Sequence, residues 1–212
     1  MFVMSAALAW LLPRNSFPPT SASYGAMLRS MLTLFLSNPL LRARAILALL
    51  IFASFSTLWT ALVLPLSTAP LLLSHTQIGL FGLAGALAAS GAGRLADRGH
   101  GQRSSGIALA LLTFSWLPIA FLHSSLIALA IGVVLLDLCV QAVHVTNQSL
   151  IFAAHAEARS RVVGGYMVFH SIGSGVGAIS ATTTYALLGW PAVCVLGAVF
   201  SAAALVFWWR YT

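Results

Sequence analysis

The chain has 212 residues, of which 60% are apolar and 6% charged. Soluble domains carry about a quarter charged residues, so this composition cannot cover a water-facing surface and instead fits helices that satisfy their own backbone bonds inside a bilayer. The net charge of +7 rests on ten Arg at 14, 29, 42, 44, 94, 98, 103, 159, 161 and 210. They are gathered in the gaps between apolar runs, as orientation signals are, and not in a patch for nucleic acid.

In chain order, Met1–Leu12 is apolar but reaches only about 18 Å as a helix, too short to span. It reads as a helical stub, the tail of a preceding helix, or the core of a signal peptide without its basic start. Residues 13–44 read as a basic cytoplasmic loop containing Pro13, Pro18 and Pro19. Within it, Met27, Leu28, Met31, Leu34 and Phe35 recur at helical spacing opposite Arg29, Ser30 and Thr33, which predicts a surface helix over Tyr24–Phe35.

Residues 45–212 then hold six segments near the length of about 20 residues that a bilayer requires: Ala45–Leu66, Gln77–Leu95, Ser105–Leu122, Ser125–Thr146, Val162–Ala186 and Trp190–Trp209. The gaps Ser67–Thr76, His123–Ser124 and Leu187–Gly189 are uncharged, and the alternate gaps hold the Arg. That alternation predicts an all-α membrane protein, a bundle of six antiparallel transmembrane helices with both ends cytoplasmic. Trp190 at one end of the last span, and Trp208, Trp209 and Tyr211 at the other, read as interfacial anchors.

The polar residues inside the spans are few. Asp137 is the one acidic residue in any span, and a charge there costs a few kcal/mol unless it faces protein or water. Gln141, His144 and Gln148 follow at helical spacing, with Asn147 beside them. The face reads either as a proton- or substrate-handling surface, with His144 as relay, or as a hydrogen-bonded seam and gate. In the fifth span Tyr166, His170, Gly173, Ser174, Gly177 and Ala181 share a face. The small residues point to close packing, while Tyr166 and His170 are candidate ligand contacts. Ser54, Thr57, Trp59 and Thr60 are candidate cavity contacts in the first span. Cys139 and Cys194 lie in apolar runs without metal-ligand spacing, so no metal or cofactor is expected.

Between the second and third spans, Gly93-Arg-Leu-Ala-Asp97-Arg98-Gly-His-Gly-Gln-Arg103 resembles the signature loop of the major facilitator superfamily. It departs in having His100 where the family has glycine. The run Asp137-Leu-Cys-Val-Gln141, Asn147-Gln148, Glu157-Ala-Arg159-Ser-Arg161 and Gly165-Tyr-Met is similar to the tenth and eleventh helices of bacterial arabinose-efflux and drug–proton-antiporter-like permeases. The resemblance covers residues 40–210. It implies the C-terminal six-helix half of a carrier in the bacterial inner membrane, moving a small-molecule substrate by alternating access with protons. It further implies a gating loop of Gly93, Asp97, Arg98, Arg103, Glu157, Arg159 and Arg161. The other wall of the path would come from an N-terminal six-helix half or a second copy.

Other functions are weighed against this. A half-carrier or truncated fragment would transport nothing alone. A channel would want repeated polar rings. A rhomboid-type intramembrane protease would need Gly-x-Ser-Gly, whereas before Ser174-Gly175 it is Ile172 that sits where the first glycine should be. With no paired carboxylates, metal cluster or phosphate loop, an enzyme is not expected.

Overall fold

The computed structural model describes residues 24–69, 71–74, 76–80, 101–154 and 159–211. Met1–Leu12, most of the second span, Gly93, Asp97, Arg98 and Glu157 lie outside the described residues, as do the side chains of Arg103 and Arg159. Among the described residues every regular element is helical.

The first helix, α1 (Tyr24–Ser37), extends the expected surface helix by two residues and keeps Arg29 and Thr33 exposed. Its Phe35 is buried, stacked on Phe169 with ring centroids 5.9 Å apart, so the end of α1 is docked on protein. Asn38 then breaks the chain: its Oδ1 accepts from the backbone N–H groups of Leu40 and Leu41 at 3.0 and 3.2 Å. With Pro39 at the first helical position, this is an Asn cap followed by a proline whose missing N–H costs nothing there. The result is α2 (Pro39–Ala61), followed after Leu62 by the short α3 (Val63–Ser67). The span thus begins six residues before the hydropathy boundary at Ala45, because the cap and not the last Arg sets where the helix starts.

Residues 76–80 are helical where the second span is expected. Next come α4 (Gly101–Ala120), α5 (Leu126–Ala154) and α6 (Arg159–Tyr211). At 53 residues α6 would measure about 80 Å if straight, far beyond one bilayer crossing. Gly189, at φ 74 and ψ −170, divides it into two arms that correspond to the fifth and sixth spans.

The contacts fix the relative directions. Gly173 and Gly177 on the first arm of α6 abut the carbonyls of Leu49 and Ala53, so this arm runs parallel to α2. Arg44 meets Asn147 while Trp59 meets Asp137, so α5 runs antiparallel to α2. A turn over residues 121–125 reverses α4 into α5, and Gly132 packs against Ser115 and Ile119. Trp190 reaches Ile119 while Trp208 covers Gly106, so the second arm of α6 is antiparallel to α4. Arg42, Arg44, Arg161 and Arg210 thereby gather toward one end of the bundle. The chain at the other end, at 67–69, 121–125 and 189, carries no Asp, Glu, Lys or Arg.

The core joins Leu47, Ile51, Leu58, Leu109, Leu112, Leu129, Val133, Leu136 and Val193 across α2, α4, α5 and the second arm of α6. Ile107, Phe114, Leu117, Ile127 and Ile131 remain exposed, as lipid-facing side chains are. Trp190 departs from its expected role. It is 2% exposed and its Nε1 donates to the Ile119 carbonyl at 3.2 Å, so it is a packing residue and not an interfacial anchor. Trp209 and Tyr211 are exposed at the opposite end, where an anchor belongs.

Candidate functional site

On α5, Asp137 and Asn147 meet α2 while His144 and Gln148 meet the first arm of α6, as their helical spacing allows. Asp137 is 8% exposed, and its Oδ1 accepts from Trp59 Nε1 at 3.0 Å. Two turns further along, His144 Nδ1 and the Tyr166 hydroxyl are 3.0 Å apart and share a proton in a hydrogen bond. Phe52 of α2 lies edge-on to the His144 ring at 5.1 Å and against His170 at 3.7 Å. Centroids of the two imidazoles are 6.1 Å apart. His144, Tyr166 and His170 are therefore brought together by α5 and α6 around Phe52 of α2, while Asp137 lies two turns away on α5 against Trp59. Gln141 and Gln148 lie half-buried on the same stripe, and Gln148 lines a hollow with Phe152, Val163 and Tyr166.

Asn147 is fully buried and meets Arg44 of α2. Arg44 Nη1 donates to Asn147 Oδ1 at 3.3 Å, and the Arg44 side chain is 1% exposed. The assignment of Arg44 to a gap between spans is corrected here: once α2 starts at Pro39, Arg44 falls on the same face as Leu41, Leu47 and Ala48, which are buried. Arg42, two residues earlier and on the opposite face, stays exposed with Nη1 donating to the Leu36 carbonyl at 3.0 Å. The signal was present in the Asn38–Pro39 cap pair.

The first-span candidates divide by role. Trp59 holds Asp137. Thr57 Oγ1 donates to the Ala53 carbonyl at 2.8 Å and is buried beside Gly177. Ser54 belongs to a separate structural node: its Oγ lies 2.8 Å from Ser201 Oγ, and Trp116 Nε1 lies 3.1 and 3.2 Å from the two hydroxyls. Trp116 and Ser201 were not singled out in the sequence, since neither is polar enough or patterned enough to stand apart from an apolar span.

The glycines of the fifth span pack as their spacing predicts, with Gly173 and Gly177 buried against α2 and Ala181 buried in the core. Among the described residues no group of three or more His, Cys, Asp or Glu could hold a metal ion. Arg161 is exposed at the end that also carries Arg210.

Two proteins of known sequence are closely similar over nearly the whole chain. An uncharacterized transporter named YgaY from Escherichia coli O157:H7 is 42% identical over 99% of this chain, and its counterpart in strain K12 matches to the same extent. The chain spans about half the length of these relatives, 54% in each case. The family model described as Major Facilitator Superfamily matches residues 44–212, so the chain belongs to that superfamily.

Proposed function

We propose that this chain supplies one wall of the solute path in a proton-coupled efflux carrier working by alternating access. In this reading residues 45–212 are the C-terminal six-helix half, and residues 13–44 are the cytoplasmic link from a preceding helix that ends in Met1–Leu12. The Arg-bearing end of the bundle faces the cytoplasm of a bacterial inner membrane, as positive residues do. An N-terminal half or a second copy provides the opposite wall.

The observations that carry the reading are the cluster of His144, Tyr166 and His170 between α5 and the first arm of α6, and Asp137 two turns away on α5, held by Trp59 of α2. A carboxyl in a span is costly and earns its place through a proton or a partner. Asp137 can hold a proton, His144 and Tyr166 can pass one, and the close seam of Gly173 and Gly177 lets α6 move as a unit with α2. Gly93, Asp97, Arg98 and Arg103, with Glu157, Arg159 and Arg161, would act as the cytoplasmic latch.

The test uses inside-out vesicles containing the intact carrier, acidified inside and supplied in turn with benzoate, ethidium or arabinose. Solute addition should dissipate the pH gradient in the parent protein. Asp137→Asn should abolish this response while membrane insertion is unchanged, and full activity in that variant removes Asp137 from the mechanism. Asp97→Ala should change the accessibility of cysteines placed along the path, and profiles identical to the parent's would dismiss the latch.

A further inference from the structure

We infer that Arg44, Asn147 and Tyr166 form a binding site for an organic anion, a carboxylate on an apolar body, held between α2, α5 and α6. The inference deepens the carrier reading by naming a substrate class. It can fail while that reading stands.

The argument starts from an unmatched charge. Arg44 is 1% exposed, and among the described residues its side chain donates to a neutral amide, Asn147 Oδ1. Among the described residues its Nε is buried with no hydrogen-bond partner, and Asn147 Nδ2, equally buried, has only the Tyr166 hydroxyl near enough to interact with it. A guanidinium sealed from water costs several kcal/mol without a counter-charge. Both unmatched atoms on Arg44 and Asn147 are donors, so the missing partner is an acceptor, and beside a guanidinium it is an anionic one. The chain has three acidic residues, of which Asp97 and Glu157 lie outside the described residues. Asp137 is engaged by Trp59, and the Trp59 position is fifteen residues along α2 from Arg44, about 22 Å at the helical rise.

The surroundings describe the rest of the ligand. Phe35, Leu41, Ala45, Ala48, Ile151 and Val162 form an apolar cluster with Tyr166. The donors thus sit at the edge of an apolar, partly aromatic wall, which suits a carboxylate attached to a ring or short hydrocarbon. They also sit at the Arg-bearing end, where such an anion would be gathered from the side rich in positive charge. Occupation would tie α2, α5 and α6 together through one group, and its departure would leave the unmatched charge that makes the empty state reopen.

The test is calorimetry and thermal unfolding of the intact carrier, purified in a non-ionic detergent, with benzoate as probe and benzamide as its neutral isostere. Benzoate should bind and raise the unfolding temperature, and benzamide should do neither. Arg44→Gln should weaken benzoate by about tenfold or more, the loss of a charged hydrogen bond. Asn147→Asp supplies an internal carboxylate and should fold at least as well as the parent while losing the benzoate response, so the proposal stays testable if Arg44→Gln does not fold. Asp137→Asn should still bind benzoate, and loss of proton coupling there without loss of binding separates the two readings. Three results overturn the site: no difference between benzoate and benzamide, a response to phosphatidylglycerol in place of benzoate, or an Asp97→Asn or Glu157→Gln variant that gains benzoate binding absent from the parent, which identifies an internal counter-ion.

Discussion

Trp59 Nε1 donates to Asp137 Oδ1 at 3.0 Å, tying α2 to α5 across 78 residues of sequence. The indole supplies a donor without adding charge, so Asp137 is held in the span by a group that can keep its bond through a change of protonation. A Lys or Arg partner would have locked the carboxylate as an ion pair. The contact therefore joins two helices while leaving Asp137 free to exchange a proton.

Trp59→Phe should destabilise the protein by about 1–3 kcal/mol, the cost of leaving a buried polar group without its partner. In a double-mutant cycle with Asp137→Leu, which has no acceptor, the two losses should not add, because each variant breaks the same bond. Thermal unfolding in detergent measures this, and strict additivity would mean that the bond contributes nothing.

The seam between α2 and α6 makes a sharper contrast. A Cβ at Gly173 would overlap the Leu49 carbonyl and one at Gly177 the Ala53 carbonyl, whereas a Cβ at Gly175 would meet nothing within 4 Å. Backbone cannot step aside as a side chain can. Gly173→Ala and Gly177→Ala should each cost about 1–3 kcal/mol, as overpacking does, and Gly175→Ala should be neutral or slightly stabilising in the same helix. Equal melting temperatures for all three would show that the arm of α6 does not rest on α2.

Much of this was legible before the structure. The Gly173, Gly177 and Ala181 spacing announced a packing face because small residues at every fourth position leave a groove that a backbone can enter. Asp137 stood out because charge in a span is costly, His144 because helical periodicity set it on the Asp137 face, and Tyr166 as a polar residue on the face of the fifth-span glycines. Arg44 was misplaced because a hydropathy window ends a span at the nearest charge, while the helix itself begins at its cap, six residues earlier. Trp190 was misread for a related reason: position along a span says where an indole lies in depth, and only packing says whether it faces lipid or Ile119. The partners of Ser54 are set by helices 62 and 147 residues away, a relationship that no local pattern contains.

That node of Ser54, Trp116 and Ser201 joins α2, α4 and the second arm of α6 in the described core, with both hydroxyls also reaching the Gly197 carbonyl. Hydrogen bonds between membrane helices average about 0.6 kcal/mol each, since the separated helices find other partners. Trp116→Phe should therefore cost more through its ring packing on Gly197 than through its lost bonds, and Ser54→Ala should cost under about 1 kcal/mol. Neither should alter proton-linked transport, because the node lies apart from the Asp137 face. Loss of coupling in Ser54→Ala at normal expression would place the node in the solute path.

Gly189 provides the test of the reversal between the last two spans. Its φ of 74 with ψ of −170 lies outside the left-handed helical well, which would need ψ near +47. Asn tolerates that well but gains nothing at ψ −170, a region that is essentially glycine's own. Gly189→Ala and Gly189→Asn should therefore destabilise alike, by about 1–3 kcal/mol. Pro191, early in the second arm, removes an N–H that a helix start does not need, so Pro191→Ala should be tolerated. The measurement is thermal unfolding of the three variants beside the parent. If Gly189→Asn melts with the parent while Gly189→Ala does not, the turn is an ordinary left-handed cap and not the glycine-only conformation described.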